Sequence, residues 1–235
     1  KSKLPKLNSV LFLKYSFIIF AEYMKTKLQH SSDLLKARFI DYILSVYGQD
    51  VIIGNEVMYG TAKKVVDLIL LIKGKTYAIE IKSDEDNLKR IEGQITEYRK
   101  TFDYVIIVSG EKYSKSLQVS LPCDIGLYLI SKDSQVKRIR KPHKQHKLLK
   151  NEMLCCIRSS YLKKLDNTNC SKLNSNEVRQ YYSKKRISLV QEILYAYWKL
   201  RFKPGYTNFL TERSNNVTLV DDLSALCSLK VVPNV

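Results

Sequence analysis

The sequence is short of the residues that mark several protein classes. Of its 235 residues, only 8 are Gly and 5 are Pro, which excludes collagen-like and low-complexity chains. No apolar run reaches the length of about 18 residues that a membrane-spanning helix requires. Hydrophobic residues make up 45% and charged residues 27% of the chain, which excludes a largely disordered protein. The length suits one sizeable domain or two small ones.

Cysteine and histidine are too few and too irregularly spaced to build a disulfide or metal framework. The number of cysteines is odd, and the chain is longer than typical disulfide-stapled scaffolds. We therefore expect reduced thiols and a cytoplasmic protein. The order of His143, His146, Cys155 and Cys156 fits no familiar zinc finger. A basic loop followed by a buried helix is the preferred interpretation of that segment.

The amino-terminal segment loosely resembles a secretory signal, because three lysines precede the apolar runs 10–13 and 15–20. Lys14 interrupts these runs, and no small-x-small cleavage motif follows them. We therefore expect a core-packed helix or an extra strand here, rather than export.

Acidic residues are in deficit, with 23 Asp and Glu against 40 Lys and Arg, for a net charge of +17. The excess lies on the flanks, because residues 33–132 carry 14 charges of each sign. Such a charge can simply keep a protein soluble. It also predicts a surface for a polyanion, most simply the phosphates of nucleic acid. Charge alone does not distinguish nucleic acid from an anionic membrane, and nucleic acid is the partner we expect.

Helix and strand patterns alternate through the central part of the chain, which predicts a mixed α/β fold. An almost wholly apolar run, Tyr104–Ser109, is typical of a strand in the middle of a sheet. The predicted elements are a helix from Asp33 to near Gly48, strands over Val51–Tyr59, Lys64–Ile72 and Lys75–Lys82, a helix over Asp86–Lys100, the strand Tyr104–Ser109, a helix near Glu111–Val119 and a strand over Ile125–Ile130.

The second half of the chain changes character after residue 135. Val136–Lys150 holds seven Lys and Arg, two His and no acid, and Pro142 breaks any helix through its middle, so we expect a loop or arm. Asn151–Leu165 and Lys185–Phe202 are predicted helices. The expected organisation is a basic extension (1–32), an α/β core (33–135), a basic arm (136–150) and a helical region (151–235).

Two carboxylates and a lysine are predicted to meet on one face of a hairpin. If Lys73 and Gly74 form a two-residue turn, Ile72 pairs with Lys75, and the same register places Asp67 opposite Glu80. Their Cβ atoms would then be about 5 Å apart. Side chains alternate along a strand, so Lys82 shares the face of Glu80. A common alternative for such a Glu-x-Lys pattern is a solvated face with a weak ion pair.

This group of side chains suits a hard divalent cation. Two neighbouring carboxylates repel unless a cation lies between them, and Mg²⁺ (or Mn²⁺) prefers oxygen ligands. The main-chain carbonyl of Ile81 could add a further oxygen, and Lys82 would stand beside an attacking water. Cation and ammonium together would stabilise negative charge on a phosphoryl group, which predicts phosphodiester hydrolysis.

These residues resemble the active-site signature of the PD-(D/E)XK nuclease superfamily. Asp67 followed by Glu80-Ile81-Lys82 matches the signature, and Gln94-x-x-x-Tyr98 is similar to an element of RecB-type nucleases. The run 80–104 resembles a sparsely characterised bacterial branch of the superfamily. The resemblance covers residues 33–132 and implies a restriction-endonuclease-like core, a central mixed sheet flanked by helices, with a basic helical extension after it.

The resemblance also implies roles for individual residues. Asp67 and Glu80 would bind the metal, and Lys82 would position the attacking water. Gln94 and Tyr98 would contact substrate or orient the lysine, although core packing alone could explain Tyr98. Many relatives add an acid from the first helix. Asp33 and Asp41 are badly placed for that role, so Glu56 is the substitute we expect.

The sequence therefore predicts a Mg²⁺-dependent nuclease that favours DNA over RNA. Ser83, Asp84 and Asp86 are interpreted as caps of the following helix rather than as a second metal site. A nucleic-acid-binding protein without catalysis, and a nuclease toxin with an immunity partner, are the alternatives; an accessory protein and self-association stay open. The residues expected to contact backbone phosphates are Lys137, Arg138, Arg140, Lys141, Lys144, Lys147 and Lys150.

Overall fold

The centre of the molecule is a six-stranded mixed β-sheet, seen in a computed structural model that describes residues 31–213 and 216–227. The strands lie across the sheet in chain order, with β3, β4 and β5 parallel to one another and the remaining neighbours antiparallel. The predicted mixed α/β class is confirmed. The strands are β1 (Val51–Tyr59), β2 (Lys64–Ile72), β3 (Lys75–Lys82), β4 (Tyr104–Gly110), β5 (Gly126–Ile130) and β6 (Val136–Arg140).

Helices cover both faces of this sheet. The first begins where the Ser31 side chain accepts a hydrogen bond from the Leu34 amide and ends at Gly48, which has a φ of 53°. The apolar run 10–20, expected to form a helix or strand, lies outside the described residues. The helices are α1 (Ser32–Tyr47), α2 (Ile91–Tyr98), α3 (Ser114–Ser120), α4 (Lys150–Cys155), α5 (Ser159–Leu165), α6 (Asn167–Cys170), α7 (Ser175–Ser183) and α8 (Ile187–Glu212).

The turn between β2 and β3 has the predicted form. Lys73 and Gly74 both have positive φ, at 47° and 77°, as a two-residue hairpin turn of the I′ type requires. The strand pairing then runs from Ile72↔Lys75 to Leu68↔Ile79. This confirms the predicted register, which places Asp67 opposite Glu80.

The ribbon of β1 and β2 changes face part-way along its length. Val51 and Ile53 pack with α1, whereas Val57 packs in the opposite layer with α2 and α8. Residues an even number apart share a face of a regular strand, so the change occurs between Ile53 and Val57. Glu56 lies there with a φ of 50°, a conformation that non-glycine residues rarely adopt.

Helix α8 passes from one layer of the core to the other beside the edge strand β1. Its Trp198 and Phe202 pack in the layer of α2, and its Phe209 packs in the layer of α1. Gly54 of β1 makes this crossing feasible, because a Cβ atom at that position would lie 2.8 Å from the Phe202 ring. The carboxyl-terminal helices thus share a continuous core with the sheet.

Several local predictions are wrong. The expected loop or arm over Val136–Lys150 begins as strand β6, because an edge strand tolerates charged side chains on its exposed face. The predicted helix over Asp86–Lys100 is shorter, since a 3₁₀ turn (Leu88–Arg90) capped by Asn87 precedes α2. Asp86 does not cap that helix.

The carboxylate of Asp86 instead accepts the amide and hydroxyl of Ser83, both at 2.7 Å, and so closes the turn after β3. Farther along the chain, the predicted helix over Asn151–Leu165 is two helices, α4 and α5. Helix α7 was not predicted, and α8 continues past Pro204.

Asp103 ties the sheet to α8 through a buried carboxylate. Its Oδ2 accepts hydrogen bonds from the main-chain amide and the hydroxyl of Thr76 at 2.9 and 3.0 Å. Its Oδ1 accepts one from the side-chain amide of Gln191 at 2.6 Å. Only 3% of the residue is exposed. A buried carboxylate with three donors is costly to remove, because its partners would be left unsatisfied.

We expect Asp103→Ala to lower the free energy of unfolding by about 2 to 4 kcal/mol, because it leaves the buried hydrogen-bond donors of Thr76 and Gln191 without an acceptor. Urea denaturation followed by circular dichroism measures this. Asp50→Ala is the control, since Asp50 pairs with Lys73 only at 3.9 Å and both side chains are largely exposed; its effect should stay below about 1 kcal/mol. Equal effects of the two substitutions would contradict the assignment.

Candidate active site

The carboxylate of Glu80 is the centre of the candidate site. It lies on β3 and is only 4% exposed. The Lys82 ammonium donates to its Oε1 at 2.6 Å, and the Gln94 amide donates to the same oxygen. The Tyr98 hydroxyl donates to Oε2. Three of the side chains that the sequence singled out therefore converge on the fourth.

Local structure accounts for this convergence. Strand alternation puts Glu80 and Lys82 on one face of β3, and helical spacing puts Gln94 and Tyr98 on one face of α2. Tyr98 is also a packing residue, with its ring centroid 5.4 Å from that of Tyr59. Core packing of Tyr98 is thus confirmed, and its hydroxyl bonds Glu80 rather than Lys82; the predicted contact with substrate stays a prediction. Burial and the neighbouring Glu80 charge raise the pKa of its hydroxyl, so it is a stable hydrogen-bond donor.

Asp67 completes the pair of carboxylates from the neighbouring strand. Its Oδ2 accepts the main-chain amide of Ile81 at 2.7 Å, just beyond the point where the β2–β3 pairing ends. Burial, and then the negative charge of Glu80, raise the pKa of Asp67 to about 6. The Ile81 hydrogen bond and the charges of Lys36 and Lys82 oppose this shift. The carboxylates of Asp67 and Glu80 therefore repel each other in a partly desolvated environment.

Lys36 of α1 is a site residue that the sequence reasoning missed. Only 4% of its side chain is exposed, and its Nζ lies 3.4 Å from Glu56 and 3.6 Å from Asp33. Its charge lowers the pKa of Asp67, so it lies close enough to the site to act on that carboxylate. The signal in the sequence is a lysine beside the apolar stripe of the first predicted helix.

Glu56 stands at the margin of the site. The β1–β2 register places it across from Asp67, but 54% of its side chain is exposed and its nearest ionic partner is Lys36. Across residues 31–213 and 216–227, no three His, Cys, Asp or Glu side chains converge closely enough to hold a metal ion. A ligand set of Asp67, Glu80 and Glu56 is therefore not assembled in this structure.

A divalent cation held by fewer side chains fits the residues present. Mg²⁺ commonly uses one or two carboxylates and keeps several waters, which matches Asp67 and Glu80. The Ile81 main chain lies between the two acids. The Oε1 atom of Gln94 is buried and has no hydrogen-bond partner among the described residues, so a donor such as a metal-held water would satisfy it. A cation here would relieve the repulsion that raises the pKa of Asp67.

The predicted phosphate-binding residues divide into two groups. The Arg140 guanidinium donates to the main-chain oxygens of Gln118, Leu121 and Pro122, and Lys150 donates to that of Lys185. These two side chains are half-buried and tied to main-chain oxygens, so each has a structural role, and phosphate contact by them stays a prediction. The exposed members of the set are Lys137, Arg138, Lys141, Lys144 and Lys147.

Comparison with known proteins assigns the chain to a family. The family model described as bacteriophage P4 protein cII matches residues 26–227. The chain belongs to this family. Among its relatives, Protein cII of Enterobacteria phage P4 is 29% identical over 189 residues, which is 77% of this chain and 71% of the phage protein. The family model spans every residue of the candidate site. Neither the name of the family nor that of the phage protein states an activity.

A solved structure also resembles part of the chain. The SPO1766 protein of unknown function from Silicibacter pomeroyi aligns over 59% of this chain and 91% of its own length, with 16% identity and a TM-score of 0.39. That similarity is too low to support an argument about fold or chemistry. Within the described residues, no helix is long and apolar enough to cross a membrane.

We expect Asp67→Asn to stabilise the protein at neutral pH in EDTA. The folded-state pKa of Asp67, about 6, exceeds the ordinary value of 3.8, so ionisation opposes folding above pH 6 and not below pH 4. The gain should be about 1 to 3 kcal/mol at pH 7.5 and should vanish near pH 4. Urea denaturation at several pH values measures it.

Asn can still accept the Ile81 amide, so the variant isolates the charge. Glu85→Gln, at an exposed acid near β3, is the control and should show no such pH dependence. A loss of stability in Asp67→Asn at pH 7.5 would contradict the assignment of Asp67 as a destabilised, functional carboxylate.

Proposed function

We propose that the chain is a Mg²⁺- or Mn²⁺-dependent nuclease that hydrolyses phosphodiester bonds of nucleic acid, with DNA the favoured substrate. The observation that carries the proposal is the Glu80 carboxylate, held by Lys82, Gln94 and Tyr98 and facing Asp67 across the hairpin. An ordinary surface ion pair does not need two neutral donors and a second, repelled acid beside it. This arrangement also supports the resemblance to PD-(D/E)XK nucleases.

In this proposal, Asp67, Glu80 and the Ile81 carbonyl would hold the cation. The cation would supply Lewis acidity that stabilises negative charge on the phosphoryl group. Gln94 and Tyr98 keep the Glu80 carboxylate in one orientation, since both of its oxygens are bonded to them. A carboxylate ligand whose orientation is fixed by hydrogen bonds to neighbouring side chains preorganises a metal site.

Lys82 has the role closest to the reacting atoms. Its side chain is 8% exposed and its ammonium lies 2.6 Å from Glu80; in the proposed reaction it would hold a water for in-line attack and stabilise charge on the phosphoryl oxygens. Lys36 adds a second buried cation near Asp67. We propose that both lysines face the scissile phosphate, and that the protein acts in the cytoplasm, where nucleic acid is accessible.

One observation favours a second candidate function. Both Glu80 oxygens already have donors inside the protein, and Lys82 and Lys36 partly neutralise the two acids. A site saturated in this way could serve a nucleic-acid-binding protein that does not cut. Metal-dependent turnover distinguishes the two candidates. An immunity or accessory partner and self-association stay open predictions.

We expect the protein to cleave plasmid or linear DNA in Mg²⁺ and to be inactive in EDTA. Glu80→Gln and Lys82→Met should each lower the cleavage rate by about 10² or more, because each removes charge that acts in the transition state. Tyr98→Phe should have a smaller effect, about tenfold, since it removes one neutral hydrogen bond. Gel or fluorescence assays of product formation measure these rates.

The control is Glu85→Gln, which removes an exposed carboxylate from the loop that follows the same strand. It should cleave like the wild type. If the wild type binds DNA yet shows no metal-dependent turnover on DNA or RNA, the binding-protein candidate is the correct one. If cleavage persists unchanged in Glu80→Gln, the site is elsewhere.

Metal binding can be tested without activity. Mg²⁺ at a few millimolar should raise the melting temperature of the wild type, because a ligand that binds only the folded state stabilises it. Asp67→Asn should lose this response, since it removes one of the two carboxylate ligands. Differential scanning fluorimetry with and without EDTA measures both, and an equal response in the two proteins would count against the metal site.

A further inference from the structure

A basic cleft lies beside the candidate active site, between the tip of the β1–β2 hairpin and the carboxyl-terminal helices. Its volume is about 450 Å³. Met58 and Val65, cross-strand neighbours on the hairpin, form an apolar patch in it. Their side chains lie near the tip of the hairpin and are 51% and 52% exposed. The cations that line it are Lys63, Arg158, Arg179 and Arg201.

The charge of this cleft is strongly one-sided. Four cations line it against one acid, Glu56, and that acid is already paired with Lys36. No carboxylate in the described ranges forms an ion pair with Lys63, Arg158 or Arg179. Three neighbouring cations with no ion-paired carboxylate, Lys63, Arg158 and Arg179, are costly to assemble. A polyanionic ligand would offset that cost.

Two of the cations donate hydrogen bonds to main-chain oxygens, which restrict the position of each side chain without neutralising its charge. Lys63 donates to the carbonyl of Cys155 at 3.3 Å. Arg179 donates to the carbonyls of Leu154, Ser175 and Ile157 at 3.1 to 3.5 Å. Arg158 is exposed at the start of α5. Such partly preorganised cations lose less freedom on binding than mobile surface lysines do.

The hairpin tip is fastened to α4, so the cleft has a defined width. The Glu152 carboxylate accepts the amide and the hydroxyl of Thr61 at 2.7 and 2.8 Å, and the thiol sulfur of Cys156 accepts the Gly60 amide at 3.2 Å. The wall formed by Met58 and Val65 therefore stays at a fixed distance from the start of α5.

The cleft is also connected to the active site. Glu56 lines the cleft, and the β1–β2 register places Glu56 across from Asp67. A chain of phosphates lying in the cleft would therefore lead toward the two carboxylates and Lys82. Of the exposed basic residues in 137–147, by contrast, Lys137 and Arg138 lie on the far edge strand of the sheet, β6, four strands away from β2.

We infer that this cleft binds the phosphodiester backbone of a nucleic-acid strand and directs it to the candidate active site. Lys63 and Arg158 contact phosphates, Arg179 and Arg201 contribute charge, and the Met58–Val65 patch contacts a sugar or base. The inference rests on the proposed function for its substrate class, nucleic acid, but not for hydrolysis. It assigns the principal binding surface to a part of the chain other than the basic segment predicted from the sequence.

The test is the binding of a fluorescein-labelled 15-nucleotide single strand, and of the matching duplex, in EDTA, followed by anisotropy over a range of salt concentrations. The test variant is Lys63→Gln with Arg158→Gln. Its affinity should fall about tenfold or more at about 100 mM salt. The slope of log K against log salt should decrease by about 1.5, because each lost phosphate contact contributes about 0.7 to 0.9.

Two control variants make the result specific. Lys73→Gln with Lys115→Gln removes the same charge from exposed positions, a turn at the other end of β2 and helix α3, and should bind nearly like the wild type. The triple variant Lys141→Gln, Lys144→Gln, Lys147→Gln tests the alternative surface. Thermal melting checks that each variant is folded, and Arg158→Ala alone serves if the double variant is not.

The inference is overturned if the test variant loses no more affinity than the lysine control, or if only the triple variant loses affinity. It is also overturned if a poly-glutamate peptide of equal charge competes as well as the oligonucleotide, since the cleft would then suit an acidic protein. Comparing strand with duplex shows which form of nucleic acid enters. The binding assay is carried out in EDTA, where the proposed metal-dependent cleavage does not occur. A loss of affinity in the test variant therefore reports on the cleft alone, whether or not the wild type cuts DNA.

Discussion

The bonding of the Glu80 carboxylate is the interaction on which the rest of the candidate site depends. A buried carboxylate is costly unless its oxygens are satisfied, and here the donors come from the same strand and from α2. The position of α2 relative to the sheet is therefore determined partly by chemistry and partly by the packing of Tyr98 and Phe102. A single group of atoms links the core of the molecule to its proposed activity.

Asp67 shows why the sheet is irregular where the site lies. The ladder between β2 and β3 ends at Leu68↔Ile79, and the Asp67 side chain takes the hydrogen bond from the Ile81 amide. The partner strand β1 changes face at Glu56, with a positive φ. Backbone distortion of this kind is concentrated at functional sites.

The sequence was sufficient for the parts of the site that depend on local order. A two-residue turn determines the register of the strands that it joins, so Asp67, Glu80 and Lys82 could be placed together from spacing alone. Helical periodicity did the same for Gln94 and Tyr98. Lys36 was missed because a buried lysine contradicts the usual preference of that residue for solvent. Only tertiary structure shows the carboxylates that accept it.

The basic cleft was beyond the reach of sequence reasoning for a different reason. The cations that line it belong to a turn and three helical segments far apart in the chain: Lys63, Arg158, Arg179 and Arg201. Their proximity depends on how α8 crosses β1. The cluster in 136–150 was conspicuous because it is contiguous. Two of its members, Arg140 and Lys150, have structural roles, because carbonyl groups at the ends of other elements need donors.

The two edges of the sheet differ in a way that affects the behaviour of the protein at high concentration. At the first edge, Asn55 of β1 forms a bridge with Cys227 and donates to the Leu223 carbonyl, so part of that edge is already covered. The last edge, β6, exposes Lys137 and Arg138. Strand addition between two copies would bring these cations together, and charged edges of this kind oppose intermolecular sheet growth. Contacts of residues 223–227 thus cover part of the β1 edge, and electrostatic repulsion between cations opposes strand addition at the β6 edge. Both features disfavour aggregation through the sheet.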